Sequence, residues 1–192
     1  CSYGGWQHAV EKQPPAGRLT ARNTPPIGIV EELVPIAVWQ IGSGRYIVDV
    51  GKNSAGFEKL ILRDTTPDMA GRKIVIYPAE TLGEDGGVDQ YSCTQGDPGT
   101  ICDTYWIRGK GAEEWQPRFC YHGFRYLEVE GFPGVPDRDS FRGYRLRVLN
   151  EQTGSFESSD KVLSAIDRIT TRSIECNMMS VFTDCPQIEK LG

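Results

Sequence analysis

Apolar and polar residues alternate along most of residues 27–150. The clearest example is the segment 44–51, in which Tyr46, Val48 and Val50 alternate with Ile47 and Asp49. Because successive side chains of a strand point to opposite faces, this two-residue period predicts β-strands. Similar segments, separated by Gly, Pro, Asn and Asp, occupy residues 27–41, 56–64, 71–80, 103–109, 118–131 and 141–150. The pattern predicts an antiparallel β-sandwich.

The period changes after residue 157, and a helix is predicted over about residues 160–176. The apolar residues that follow the helical period are Val162, Leu163, Ile166 and Ile169. Ser158 or Ser159 is expected to cap the first amides of this helix, and Pro186 predicts the start of a second helix. The fold class predicted is therefore mainly β, an antiparallel β-sandwich followed by one or two α-helices that open a helical domain.

The composition is that of a globular protein of 192 residues, with 39% hydrophobic residues and a formal net charge of −5. Lysine and arginine are scattered along the chain, which argues against a nucleic-acid partner, because phosphate binding needs a clustered basic face. No apolar run approaches the roughly eighteen residues of a membrane-spanning helix, so no membrane partner is expected. The chain begins with Cys1 and not Met, which predicts a processed product or an excised piece.

Cysteine and histidine spacing gives no sign of a metal centre. None of the 6 cysteines forms a C-x-x-C pair, and His8 and His122 are not spaced to complete a zinc site, so no metal or cofactor is predicted. Cys93 and Cys102 bracket the loop "CTQGDPGTIC", which has nothing else to hold it. A Cys93–Cys102 disulfide is predicted, and with it a secreted or extracellular location. The alternative is that several cysteines are small buried apolar residues.

The stretch "TDCPQIEKLG" holds two carboxylates, Asp184 and Glu189. Paired carboxylates are what glycoside hydrolysis needs, since one protonates the leaving oxygen and the other activates water or attacks. On an ideal helix this spacing separates them by roughly 140°, so they share a face only if Asp184 precedes the helix. The structural alternative is that Asp184 and Gln187 cap a helix and that Glu189 lies on a solvated surface.

Aromatic residues and arginines are concentrated in residues 115–134. One interpretation is a carbohydrate contact, in which rings stack on sugars and Arg118 and Arg125 bind hydroxyls or a carboxylate. The alternative is a central sandwich strand, because both alternating faces of this segment are largely apolar. No triad-like partner is indicated for His122.

Several segments together resemble the α-L-rhamnosidase family of inverting glycoside hydrolases. They are "YIVDVGKNSAGFEKL", "YPAETLGEDG", "DTYWIRGKGAEEWQPRFCYHGFRYLEVEG", "TGSFESSD" and "NMMSVFTDCPQIEKLG". In that family a β-sandwich precedes an (α/α)6 barrel that holds the active site. The resemblance implies that residues 27–135 form the sandwich domain, residues 136–157 the connection and residues 158–192 the start of the barrel. Residues 1–26, rich in proline, are expected to form an irregular arm.

The resemblance also implies roles for two residues. Asp184 matches an aspartate that contacts rhamnose, and Glu189 matches a glutamate proposed as the general acid. A general acid must stay protonated near neutral pH, which requires burial or a nearby negative charge such as that of Asp184. The family's catalytic base is expected outside this chain, so the isolated chain is predicted to be inactive.

The implied function is hydrolysis of terminal α-L-rhamnose from glycosides or polysaccharides by an inverting two-carboxylate mechanism. The substrate partner would be a rhamnose-containing carbohydrate. The family motif usually has an arginine where this chain has Ile188, which leaves room for a lyase that cleaves rhamnosyl-glucuronate on the same scaffold. A non-catalytic carbohydrate-binding β-sandwich is the other alternative.

Overall fold

Strands are the main regular elements of the described chain, and one helix of 16 residues follows the tenth of them. The computed structural model describes residues 9–94, 101–188 and 190. The strands are β1 (Ile27–Leu33), β2 (Ala37–Gly42), β3 (Arg45–Thr65), β4 (Lys73–Ala79), β5 (Thr81–Leu82), β6 (Val88–Asp89), β7 (Asp103–Trp106), β8 (Gly111–Trp115), β9 (His122–Glu130), β10 (Phe141–Val148), β11 (Met178–Met179) and β12 (Val181–Phe182). The helices are α1 (Tyr91–Thr94) and α2 (Lys161–Cys176), with a 3-10 turn at Pro67–Met69.

Eight strands form one antiparallel network in which β3 occupies the central place. Strands follow the order β1-β10-β3-β9-β4-β7, and β2 and β8 also pair with β3. The first half of β3 pairs with β2 and β9, whereas its second half pairs with β10 and β8. One long strand therefore passes from one layer of the sandwich to the other, as corner strands do in packed sheets. The predicted fold class, an antiparallel sandwich followed by a helix, is confirmed.

A bulge marks the crossing point within β3, where the pairing with β9 shifts register between Asp49 and Ser54. Gly51 lies there with a φ of 84°, a left-handed conformation that glycine adopts without steric cost. Its N–H donates to the Asp49 carboxylate at 2.6 Å. The prediction of separate strands at 44–51 and 56–64 was wrong, because the bend between them is a bulge inside one continuous ladder.

Apolar side chains from both layers fill a single core. Its fully buried members are Ile47, Val48, Leu60, Ile74, Ile76, Phe124, Leu127, Val129 and Phe141. Burying each of these side chains contributes roughly 1.5–3 kcal/mol to folding. Gly56 allows β3 and β10 to approach closely, since a Cβ at this position would overlap the carbonyl oxygen of Tyr144.

The aromatic segment around residue 122 forms strand β9, which lies between β3 and β4. Its buried residues are Gly123, Phe124, Leu127, Glu128 and Val129. The interpretation of this segment as a central strand is confirmed.

Helix α2 begins after Asp160, whose carboxylate accepts the N–H of Val162 at 2.8 Å. The predicted caps, Ser158 and Ser159, do not hold this position, because the extended backbone of Asp160 places its own side chain over the first turn. The hydroxyl of Ser158 instead accepts the N–H of Asp160 at 3.1 Å. The predicted helix itself is confirmed.

No helix begins at Pro186 among residues 177–188, since residues 186–188 form bends. The short hairpin β11–β12 follows α2 instead, and Ser180 in its turn has a φ of 78°. Two-residue strands are too short to produce a hydrophobic period, so no pattern in the sequence predicts this hairpin. With no helix at Pro186, the capping interpretation of Asp184 and Gln187 is wrong for the described backbone.

Residues 9–26 contain no strand or helix and are exposed. Arg22 ties this arm to the hairpin after α2, since its guanidinium donates to the Ser180 hydroxyl at 2.7 Å and to the Pro25 carbonyl at 2.8 Å. Within the described part of the chain, no helix has the length and apolar character needed to cross a membrane.

Candidate functional site

The two candidate carboxylates lie in the segment after the β11–β12 hairpin. Asp184 is exposed, and Glu189 lies outside the described residues. The neighbouring Thr183 is buried, and its N–H and hydroxyl donate to the Asn177 carbonyl at 2.8 Å and 3.3 Å. These bonds link the backbone beside Asp184 to the end of helix α2.

Strand β9 supports the segment formed by residues 183–188 and Lys190, called here the C-terminal strip. Gly123 gives it room, because a Cβ there would lie 3.2 Å from both Pro186 and Gln187. The Lys190 ammonium donates to the Tyr121 carbonyl at 2.5 Å and lies 4.3 Å from the centroid of the Tyr121 ring. Burial lowers the pKa of Lys190. The strip is therefore fixed against the sandwich, with Asp184 turned to the surface.

Ion pairs hold helix α2 on the sandwich. Arg172 of the helix lies 2.8 Å from the Glu31 carboxylate, and Arg145 of β10 bridges Glu31 at 3.0 Å and Glu175 at 2.6 Å. Lys52 lies 2.7 Å from Glu31. Burial acts to raise the pKa of Glu31, but the hydrogen bonds from Lys52 and Arg172 lower it to about 2. This carboxylate is the centre of the contact between helix and sheet.

The rest of helix α2 presents an exposed apolar face. Five aliphatic side chains along it, 46% to 68% exposed, are Val162, Leu163, Ile166, Ile169 and Ile174. Soluble proteins seldom leave a contiguous apolar face uncovered, and an amphipathic helix buries its apolar stripe against another element. This face indicates a contact surface for further polypeptide.

Two cavities flank helix α2, and Asp184 lines neither of them. One of about 520 Å³ lies between the helix and residues 147–156, and one of about 260 Å³ lies between the helix, the bulge of β3 and Pro186. Ligand pockets bury most of a small ligand. Neither of these two cavities therefore encloses Asp184.

A second group of titratable side chains lies at the start of β9. The Nε2 atom of His122 lies 2.7 Å from Oδ2 of Asp103, and the Cys120 thiol contacts Oδ1 of the same aspartate at 3.7 Å. Glu58 of β3 is fully buried, and neither of its carboxylate oxygens has a hydrogen-bond partner in the described structure. We refer to Glu58, Asp103, Cys120 and His122 as the β9 cluster.

The charges of the β9 cluster act on one another. Burial, and then the charge of Asp103, raises the pKa of Glu58 well above its usual value. Burial and the charges of Asp103 and Glu58 raise the pKa of the Cys120 thiol to about 11. Burial opposes ionisation of Asp103 as well, but its hydrogen bond with His122 lowers its pKa. A thiol held protonated is a poor nucleophile, so the cluster is not an activated cysteine–histidine pair.

Sequence reasoning missed the β9 cluster because its members come from three separate segments. The available signal was the spacing of Cys120 and His122, since residues two apart on a strand share a face. Asp103 and Glu58 could be added only once the pairing of strands was known.

The loop between residues 90 and 102 is closed without a crosslink. Cys93, buried in α1, and Cys102, which is exposed, are both free cysteines, so the predicted disulfide is not formed. Gln90 closes the loop instead, because its amide donates to the carbonyls of Pro78 and Ile101 at 2.9 Å and 2.7 Å and accepts the Ile101 N–H at 3.2 Å. Cys93 follows the alternative interpretation, a small buried apolar residue.

Two family models match the chain on either side of the change from strands to helix. The bacterial alpha-L-rhamnosidase concanavalin-like domain matches residues 39–147. The bacterial alpha-L-rhamnosidase 6 hairpin glycosidase domain matches residues 151–192. The first match covers most of the sandwich, and the second contains helix α2 and the C-terminal strip.

Curated relatives agree with these matches. An alpha-L-rhamnosidase of Formosa agariphila is 31% identical over 97% of this chain and 19% of its own length. An alpha-L-rhamnosidase of Streptomyces avermitilis is 32% identical over 91% of this chain and 16% of its own length. The chain therefore spans about one fifth of the length of the curated relatives it matches.

Solved structures share the fold over nearly the whole chain. The alpha-L-rhamnosidase from Dictyoglumus thermophilum superposes with a TM-score of 0.85 at 35% identity, over 94% of this chain and 20% of that one. The Streptomyces avermitilis alpha-L-rhamnosidase complexed with L-rhamnose has a TM-score of 0.81 at 32% identity, over 91% of this chain and 16% of that one. Sandwich, helix and strip together place this chain in the bacterial α-L-rhamnosidase family.

Proposed function

We propose that the whole protein is an α-L-rhamnosidase and that this chain supplies its β-sandwich and the first elements of its catalytic helical domain. The observation that carries this proposal is the match of residues 151–192 to the 6 hairpin glycosidase domain, directly after the sandwich match. The exposed apolar face of helix α2 supports it, because the remaining helices of such a domain would cover that face.

The proposed substrate is a carbohydrate with a terminal α-L-rhamnose. The support comes from the relatives, which carry the name alpha-L-rhamnosidase, and from the Streptomyces avermitilis enzyme, which was solved with L-rhamnose. The same names favour hydrolysis over the lyase alternative that Ile188 left open.

In the proposed mechanism Glu189 is the general acid and Asp184 contacts the sugar. Glu189 would give its proton to the glycosidic oxygen as the bond to the anomeric carbon breaks. A base outside residues 1–192 would take a proton from the water that attacks the opposite face, which inverts the configuration. Asp184 would also help to keep Glu189 protonated through its negative charge. Pro186 and Gln187, which lie between these two residues, pack on Gly123.

The test is a kinetic comparison of the full-length protein with Glu189→Gln, Asp184→Asn and the exposed control Glu151→Gln. Loss of a general acid is expected to lower kcat about 10²–10⁴-fold. The loss should be smaller for an aryl rhamnoside with an acidic phenol, because that leaving group needs no proton. Full activity of the Glu189→Gln variant on an alkyl rhamnoside would refute the assigned role, and absence of rhamnose release by the wild type would refute the activity.

Two further measurements concern the reaction type. The isolated chain is expected to show no turnover, because the base and most of the pocket are proposed to lie outside it. For the full-length protein, NMR of the first product should show inverted rhamnose. Formation of an unsaturated uronate, detected by its ultraviolet absorbance, would instead support the lyase. A tryptophan fluorescence change of the isolated chain on titration with rhamnose would support the carbohydrate-binding alternative.

A secreted location stays a prediction, and it no longer has the support of the Cys93–Cys102 disulfide, because both thiols are free. Fractionation of the source cells with an antibody against the sandwich would test it. Recovery of the protein with the cytosolic fraction alone would contradict it.

A further inference from the structure

We propose that Asp103, Cys120 and His122 of the β9 cluster bind zinc, beside the buried carboxyl of Glu58. The inference does not depend on the proposed glycosidase function. It rests on the kind of donor atoms, on their spacing and on the lack of partners for Glu58.

The donor set is one that Zn²⁺ favours. A thiolate, an imidazole nitrogen and carboxylate oxygens are its usual protein ligands, and a mixed set of sulfur, nitrogen and oxygen disfavours Mg²⁺ and Ca²⁺, which prefer oxygen alone. The ligand atoms of Asp103, Cys120 and His122 all lie within 4.8 Å of one another. The His122 and Asp103 side chains are each only 12% exposed, so their positions are restricted by packing.

The spacing is close to that of a tetrahedral centre. Zinc bonds of about 2.0–2.3 Å place neighbouring ligand atoms roughly 3.3–3.8 Å apart. The thiol of Cys120 already lies 3.7 Å from Oδ1 of Asp103. The contact between His122 and Asp103, at 2.7 Å, is shorter. Small side-chain rotations that replace this hydrogen bond with two metal bonds would admit the ion.

Strand register places Glu58 and Cys120 on the same side of the sheet. His122 pairs with Gly56 in the ladder between β9 and β3. Continued by two residues in each antiparallel strand, the same register places Cys120 opposite Glu58, and residues two apart on a strand share a face. Asp103 enters from the first residue of β7. The proposed ligands therefore come from sheet strands or their immediate ends, which hold donor atoms more precisely than loops do.

The surroundings of Glu58 are an independent observation that points to a cation. It is fully buried, and both carboxylate oxygens lack hydrogen-bond partners among the residues described. A charged carboxylate without partners is costly to bury, and the raised pKa of Glu58 is one response to this cost. A nearby metal ion, which would let the carboxylate stay charged, is the other. The nearby ammonium of Lys190 is bonded to the Tyr121 carbonyl. A cation bound by Asp103, Cys120 and His122 would supply the missing compensation.

Zinc at this site would also stabilise the start of β9, on which the C-terminal strip packs. Tyr121 lies between Cys120 and His122, and it holds Lys190 through its carbonyl and its ring. Gly123, which packs on Pro186 and Gln187, follows directly. Zinc bound to residues 120 and 122 would restrain this part of the backbone.

The experiment is a cobalt and zinc titration of the full-length protein after removal of metals with a chelator. Co²⁺ should produce a thiolate-to-metal charge-transfer band and strong visible bands typical of tetrahedral coordination, and Zn²⁺ should displace it. The Cys120→Ser variant should lose the charge-transfer band. The His122→Ala variant should bind zinc at least tenfold more weakly in competition with a chromophoric chelator. The control Cys102→Ser removes an exposed cysteine outside the cluster and should behave like the wild type.

The cobalt spectrum of the wild type tests the site without any substitution, so a variant that fails to fold leaves the test intact. Circular dichroism identifies such a variant. Absence of a thiolate band in the wild type would overturn the proposal. Zinc binding of equal strength in folded Cys120→Ser and His122→Ala variants would overturn it as well, because the metal would then lie elsewhere.

Discussion

Glu113 and Glu58 are both buried in the same sandwich, and the surroundings of their carboxylates differ. The Glu113 carboxylate accepts hydrogen bonds from the Thr65 and Tyr105 hydroxyls at 2.6 Å and 2.5 Å, and from the backbone N–H groups of Arg108, Gly109 and Lys110 at 2.9 Å, 2.8 Å and 3.2 Å. The Glu58 carboxylate has no such partner in the described structure. Both side chains lie on strands with little or no exposure.

This difference in hydrogen bonding distinguishes Glu113, an acid with a structural role, from Glu58, which lies beside the proposed zinc ligands. Burial opposes the charge of Glu113, yet the hydrogen bonds from Thr65 and Tyr105 hold its pKa well below the usual range. Burial and the charge of Asp103 shift the pKa of Glu58 in the opposite direction. Burial therefore does not decide the role of an acid. The Glu113 carboxylate, surrounded by donors, organises the backbone around it, whereas burial and the charge of Asp103 favour the uncharged form of Glu58.

The largest expected effect is at Glu113. Replacement by alanine leaves the buried hydroxyl of Tyr105 and the amides of the 108–110 turn without an acceptor, and should lower the free energy of unfolding by about 3–5 kcal/mol. Urea denaturation of the chain measures it. The matched control is the neighbouring Glu114→Ala, whose side chain is 60% exposed in a pair with Lys59, and which should cost less than about 1 kcal/mol. If Glu113→Ala and Glu114→Ala lowered the free energy of unfolding equally, the hydrogen bonds to Glu113 would not be the cause of its effect.

Glu31 is an intermediate case, a carboxylate satisfied by cations rather than by neutral donors. Its pKa is lowered from 4.5 to about 2, so its contribution to stability is complete above pH 4.5 and is lost as the pH falls through 2. By linkage this contribution is about 2–3 kcal/mol. Because Glu31 binds Arg172 of helix α2, acid should release this helix before it opens the sandwich.

The measurement for Glu31 is hydrogen exchange of the α2 amides as a function of pH. Glu31→Gln should expose these amides at neutral pH and remove most of the pH dependence between 4.5 and 2. The exposed control Glu151→Gln should keep the profile of the wild type. Unchanged α2 protection in Glu31→Gln would show that the ion pairs do not hold the helix.

A smaller effect is expected at Tyr105, one of the residues that donate a hydrogen bond to Glu113. Tyr105→Phe removes the hydroxyl that donates at 2.5 Å and should lower the free energy of unfolding by about 1.5–3 kcal/mol, the range for a hydrogen bond to a charged group. Tyr77→Phe is the matched control, because its hydroxyl donates to the half-exposed Glu130 at 3.3 Å and should cost less than about 1 kcal/mol. Thermal unfolding of both variants compares the two tyrosines. The contrast fails if Tyr77→Phe costs as much as Tyr105→Phe.

The smallest effect is expected at Glu58. Glutamine has nearly the same shape and carries no charge, so Glu58→Gln in metal-free protein should leave the free energy of unfolding within about 1 kcal/mol of the wild type or raise it. Chemical denaturation in the presence of a chelator measures this change. A loss as large as that of Glu113→Ala would mean that Glu58 has strong partners, and the comparison between the two acids would fail.

Much of the fold could be predicted from local patterns. The alternation around Val48 and Leu146 and the 3.6-residue period of Ile166 and Ile169 each describe which side of an element is apolar, and the structure confirms both types of element. The Asp160 cap and the β11–β12 hairpin were not predicted, since single-residue cap geometry and two-residue strands carry no period. The Cys93–Cys102 prediction failed for a related reason, because Gln90 closes that loop through bonds that spacing does not reveal.

Of the two candidate sites, one could be identified from the sequence and the other only from the structure. Asp184 and Glu189 lie five positions apart in one short stretch, so the sequence alone could identify them by resemblance to a family. The β9 cluster combines residues 103, 120 and 122 with the neighbouring residue 58, and only the pairing of β9 with β3 and the position of β7 bring their side chains together. The sequence determined the order of strands and helix and the family to which the chain belongs. The tertiary structure decided which buried acid has partners, because hydrogen bonds and charges depend on distances between segments that are remote along the chain.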